Sequence, residues 1–124
     1  MVEYHRTVLP NGLTLLVNSD YTSQLFGVSL VYKAGSGYDL ESSTGMAHLL
    51  EHIMFEGSIH APNFDKIMQR AGGENNAYTN PDIAHYYDII PKSNLESVLW
   101  LEADRMANLK LSRHSFRVQK KNST

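Results

Sequence analysis

Two histidines four residues apart, with a glutamate directly before the second, stand at His48-Leu49-Leu50-Glu51-His52. On an α-helix, positions three and four after a reference lie at about −60° and +40° around the axis, so His48, Glu51 and His52 share one face. Two imidazoles so placed can grip one zinc ion, which in a catalytic site takes three protein ligands and keeps a position for water. A carboxylate beside the second histidine reaches that water, takes its proton as the ion acidifies it, and returns a proton to a leaving amine. The spacing predicts His48 and His52 as metal ligands and Glu51 as a general base. The plainer reading is the polar face of an amphipathic helix. Met46, Ala47, Leu49, Leu50, Ile53 and Met54 weigh against it, because in so apolar a helix that face is costly to bury without a metal or partners.

The elements that must hold this helix can be read from period and turn chemistry. Apolar residues recur at three and four from Thr44, predicting a helix to about Glu56 capped by Ser43 or Thr44 and stopped before Gly57. Asn11-Gly12 between two β-prone runs predicts an opening hairpin with a type I′ turn. Phe26, Val28, Leu30 and Tyr32 alternate with smaller or more polar neighbours, predicting a strand over about 24–34. Pro62 and Gly72-Gly73 bracket a second helix over 62–71. Strands at 77–79 and 83–90 flank the turn signal Asn80-Pro81-Asp82, with Pro91 closing the second. A third helical stripe runs through Leu95, Val98, Leu99, Glu102, Met106 and Leu109, with Trp100 assigned to the core, and Ser112 caps a fourth helix. This order predicts an α+β domain, a mainly antiparallel sheet with helices packed on one face.

Composition narrows the chemistry. The 124 residues suffice for one core, and a formal charge of −2 gives no electrostatic reason to expect nucleic acid or an anionic membrane. The absence of cysteine excludes disulfides, thiolate ligands and a cysteine nucleophile, so any metal rests on His and carboxylates. No apolar run has the length of a membrane span and the first thirty residues do not read as a leader, which suggests a cytoplasmic protein.

Three ordered blocks carry a family resemblance: the segment from Thr44 to Ser58 around the paired histidines, Gly72-Gly73-Glu74-Asn75-Asn76-Ala77-Tyr78-Thr79, and Leu101-Glu102-Ala103-Asp104-Arg105-Met106. Together they resemble the inverted zinc metallopeptidases of the pitrilysin, insulin-degrading enzyme and mitochondrial processing peptidase family. The resemblance spans Tyr4 to about Lys121. It implies the processing-peptidase or LuxS-like metallohydrolase fold, zinc as cofactor on His48 and His52, Glu51 as base, and a metalloendopeptidase activity on extended peptides. It also implies that Asn76, Ala77 and Tyr78 hold the substrate backbone; an exposed sheet edge can recruit a peptide as one more strand.

The family's third ligand is a glutamate on a later helix, yet no acid follows Asp104. The segment from Ser112 to Lys121 resembles the start of that helix, so the expected ligand lies beyond Thr124 and 1–124 reads as the amino-terminal portion of one catalytic domain, inactive alone. His60, His85, Asp39, Glu41, Glu74 and Asp82 could replace it by residue type only. A second homologous domain or subunit is the partner the resemblance implies. The competing reading is a noncatalytic peptide-binding homologue or partner subunit. An S-ribosylhomocysteine lyase, with a similar paired-His helix, relies on a cysteine that this chain lacks.

Overall fold

The computed structural model describes residues 3–109 and Arg117. The helix predicted from Ser112 falls largely outside the described residues.

The chain opens with β1 (His5–Val8) and β2 (Thr14–Val17), an antiparallel ribbon with His5 opposite Val17. Its turn departs from the expected type I′. Gly12 N–H donates to Leu9 C=O at 2.9 Å and only Gly12 has positive φ, at 90°, so the loop is a type I turn closed by a glycine bulge. Asn11 stays at negative φ and its side-chain oxygen accepts from the Leu13 N–H.

The main sheet has the order β3-β5-β4, built from β3 (Leu25–Tyr32), β4 (Glu74–Thr79) and β5 (Ala84–Pro91), all antiparallel. Alternation sorts its side chains. Phe26, Val28, Leu30 and Tyr32 face the helices with Ala77, Ala84, Tyr86, Asp88 and Ile90, while Ser29, Val31, Asn76, Tyr78, His85 and Tyr87 lie on the opposite face. The helices are α1 (Met46–Glu56), α2 (Phe64–Arg70) and α3 (Leu95–Ala107). Phe64 and Met68 of α2, Ile90 of β5 and Val98 and Leu101 of α3 form one core cluster; Met54 of α1 packs with Ala84 and Tyr86 in another. This is the expected α+β arrangement.

Helix α2 begins two residues later than Pro62 suggested. The buried residues of α3 are Val98, Leu101, Glu102, Asp104 and Arg105, so the predicted stripe holds at Val98 and Glu102, with Leu95 and Leu109 partly buried, and fails at Leu99 and Met106, which are exposed; Trp100 is 53% exposed rather than core. The sequence pattern misleads here because charged residues of α3 turn inward and pair, so apolar positions do not mark the buried side. Among the described residues no helix is long and apolar enough to cross a membrane.

Candidate metal centre and its substrate edge

Helix α1 is fixed at its N-terminus by a residue outside it. Gly45 starts the helix from positive φ, and the Asp39 carboxylate accepts from Gly45 N–H at 3.0 Å and Ala47 N–H at 3.1 Å. Of the two predicted caps, Thr44 does not hold α1, since its hydroxyl donates backwards to Glu41 C=O, and the Ser43 side chain lies outside the described residues. A carboxylate at this end also meets the positive pole of the helix dipole. Asp39 is itself held by the β4–β5 turn. Ser36 N–H donates to Asn80 C=O and Gly37 N–H to Pro81 C=O, both at 2.9 Å, an approach so close that a Cβ on Gly35 would lie 2.0 Å from the Asn80 oxygen. The first turn of α1 is thereby fastened to the turn that ends β4.

From that helix His48 and His52 project together, with their Nε2 atoms 3.2 Å apart. Two nitrogens about 2.05 Å from one tetrahedral zinc stand about 3.3 Å apart, so the pair already has the separation that one shared ion requires. The residues present thus fit two ligands of a zinc site. Among the described residues no third His, Cys, Asp or Glu joins them. Asp39 is occupied as the cap, His60 Nδ1 lies 2.7 Å from Asp104, and His85 bonds Ser29 on the far face of the sheet.

Glu51 lies between the histidines and the sheet, and Thr79 Oγ1 donates to its Oε2 at 2.5 Å. Sequence reasoning did not pick out Thr79 for this role. The available signal was strand alternation, which puts Thr79 on the helix-facing side with Ala77. Asn76 and Tyr78 sit on the other side, Asn76 exposed and Tyr78 edge-on to His85 at 5.0 Å.

Strand β4 is an edge of the sheet, and its backbone polarity can be worked out from the turn. Asn80 N–H donates to Ile83 C=O, so Asn80 and Ile83 are a hydrogen-bonded pair, and alternation makes Tyr78–His85 and Asn76–Tyr87 bonded pairs as well. The backbone groups of Asn75, Ala77 and Thr79 then point away from β5 to the open edge beside α1. Ala77 N–H agrees: its 2.8 Å acceptor is the side-chain oxygen of Asn76. Among the described residues, the geometry gathers two histidines, a braced carboxylate and an unpaired strand edge in one place.

Behind α1, Arg105 is 1% exposed; its Nη2 donates to both oxygens of Glu102 at 2.6 and 2.8 Å, and its Nη1 to Met54 C=O at 3.4 Å. The guanidinium lies 4.1 Å from the Phe64 ring centre and 5.1 Å from that of Tyr86. Burial, then the charge of Glu51, push the Tyr86 hydroxyl well above its ordinary range. Asp104 accepts from Ser58, His60 and Asn108; the Ser58 bond foremost pulls its pKa down to about 2.

The family model described as insulinase, peptidase family M16, matches residues 14–124. Zinc protease PqqE of Helicobacter pylori is 34% identical over 92% of this chain and 26% of its own length. A probable mitochondrial-processing peptidase subunit beta of Arabidopsis thaliana is 32% identical over 84% of this chain and 20% of its own. The crystal structure of a protease from Helicobacter pylori superposes with a TM-score of 0.92 at 31% identity, over 98% of this chain and 30% of that one. The chain therefore spans about a quarter of the length of these relatives. With the family model matched over most of its residues, the chain belongs to the insulinase family of peptidases, M16.

Proposed function

We propose that this chain supplies the metal helix, the general base and the substrate-strand edge of a zinc metalloendopeptidase acting on extended peptides. The observation that carries the reading is the 3.2 Å approach of His48 and His52 Nε2 beside a glutamate braced from the edge strand. Zinc held by His48 and His52 would acidify a water and polarise the scissile carbonyl. Glu51 would serve as the general base, accepting a proton from the attacking water and returning it to the leaving amine as the peptide C–N bond breaks. The Thr79 hydroxyl holds one Glu51 oxygen. A peptide pairing with the outward groups of Asn75, Ala77 and Thr79 lies along β4 next to α1. Its carbonyl takes the Ala77 N–H that Asn76 covers, so Asn76 acts by giving way and Ala77 by its backbone, with Tyr78 bordering the strand on the open face.

In this reading the third ligand is a glutamate from outside these residues, and a second homologous domain or subunit closes over the peptide. The 124-residue chain alone then binds zinc weakly and cleaves nothing. The test uses a peptidase in which this segment continues into a complete domain: it cleaves an unstructured peptide, and Glu51→Gln abolishes cleavage with zinc still bound. Unchanged cleavage by Glu51→Gln would sink the assignment. The second reading, a noncatalytic peptide-binding subunit, rests on the strand edge alone; peptide binding by the complete protein without stoichiometric zinc would select it.

A further inference from the structure

Asp88 is an acid on the helix-facing side of the central strand, 0% exposed, and both its carboxylate oxygens are buried with no hydrogen-bond partner among the described residues. Burial in that setting strongly disfavours the ionised carboxylate over the protonated carboxyl. The neighbours that act on it are Glu102 and Arg105 of α3; Tyr32 of β3 and Tyr86 of β5 feel the same pair. The cation gives Nη2 to both oxygens of Glu102 and Nη1 to Met54 of α1, so that among the described residues only its buried Nε is left without a partner. Two carboxyl groups therefore lie together with one guanidinium. Both are acceptors when ionised, and a single proton on Asp88 turns it into the missing donor to Glu102.

We infer that Asp88, Glu102 and Arg105 form a unit of one proton and one cation that positions the last turn of α1, behind His52, with Asp88 holding the proton. The charge then sums to zero: Arg105 offsets Glu102, and Asp88 is neutral. In agreement, burial and the Glu102 carboxyl beside it push the Asp88 pKa up to about 8. Arg105 is a positioning residue here. It reaches the metal helix through the Met54 carbonyl, which also accepts the Gly57 N–H that ends the helix. When Asp88 loses its proton, a second anion competes for Arg105, and the hold on Met54 weakens. Calling α1 the metal helix rests on the proposed function; the charge unit does not.

Two measurements on the chain, neither using metal or activity, test this. Infrared spectra in heavy water show the carbonyl stretch of a protonated carboxyl at neutral pH, fading with a midpoint near pH 8, and Asp88→Asn lacks it. Hydrogen-exchange protection in the last turn of α1 falls severalfold from about pH 7 to about pH 9 in the unmodified chain, and stays level in Asp88→Asn. A spectrum with no protonated carboxyl at neutral pH overturns the proposal. So does an equal alkaline loss of protection in both proteins, which a merely structural Asp88 would give. Because the infrared result needs no variant, a poorly folded Asp88→Asn leaves the proposal decidable. Failure of either measurement leaves the peptidase reading standing, and loss of the peptidase reading leaves these results intact.

Discussion

Replacing Asp39 by alanine should loosen the helix that carries both histidines. Its carboxylate accepts from Gly45 and Ala47 N–H at 3.0 and 3.1 Å, while the neighbouring Thr44 hydroxyl is turned away to Glu41 C=O. Loss of a helix cap costs about 1 kcal/mol and loss of the charge at the dipole's positive pole about 0.5–1 more, so the sum is about 2 kcal/mol. With urea slopes of about 1–3 kcal/mol/M, the midpoint should fall by about 1 M. Asp39→Asn keeps one neutral acceptor oxygen and should lose about half as much. Asp82→Ala, in the exposed β4–β5 turn, should stay within about 0.5 kcal/mol. Because His48 lies in the first turn of α1, fraying there separates it from His52, and zinc affinity should fall roughly tenfold if about 1.4 kcal/mol of that order is lost. Urea titration of the four proteins, with zinc calorimetry on the first two, reads both effects. Equal stability of Asp39→Ala and Asp82→Ala would refute the claim that Asp39 holds the metal helix.

Other outcomes follow from the same structure. Gly35→Ala puts a Cβ 2.0 Å from Asn80 C=O and 2.6 Å from Ile83 N, so it should destabilise by about 3 kcal/mol in thermal unfolding, whereas Gly27→Ala meets nothing within 4 Å and should be neutral or stabilising by about 0.5 kcal/mol. Asp104 is held below its ordinary value of 3.8, at about 2, by Ser58 foremost. A depressed acid contributes stability above its unfolded pKa and loses it as the pH falls through the folded one, so stability should drop between about pH 4 and about pH 2. Ser58→Ala should flatten that acid limb in urea titrations across this range; an unchanged limb would remove Asp104 as its source. Asp88 has the opposite sign: a raised acid lowers stability as pH climbs from about 4 toward about 8, by about 1.4 kcal/mol per unit for one proton, a slope that Asp88→Asn should lose.

Placement was legible where it was local. His48, Glu51 and His52 are set by helical spacing alone, and the inward residues of β3 by alternation. What brings those residues to their partners was not, because it depends on contacts across the chain. Asp39 caps α1 from six and eight residues away, through a loop whose glycines admit the β4–β5 turn. Local reading favours an adjacent hydroxyl such as Thr44. Thr79 meets Glu51 across 28 residues. Its face followed from alternation, but which helix covered that face did not. Trp100 shows the reverse failure: size argued for the core, and the inward turn of Glu102 and Arg105 left it outside. Asp88 was not singled out in the sequence: its inward position follows the alternation Ala84, Tyr86, Asp88, Ile90 of β5, and its meaning needed Glu102 and Arg105 beside it.

The central claim is that one helix face carries two metal ligands and a base. Zinc titrated calorimetrically into the chain and into His48→Ala, His52→Ala and Glu51→Gln tests it most directly. The account predicts one weakly bound ion, lost in either histidine variant and retained in Glu51→Gln. Equal zinc binding by all four proteins would contradict it.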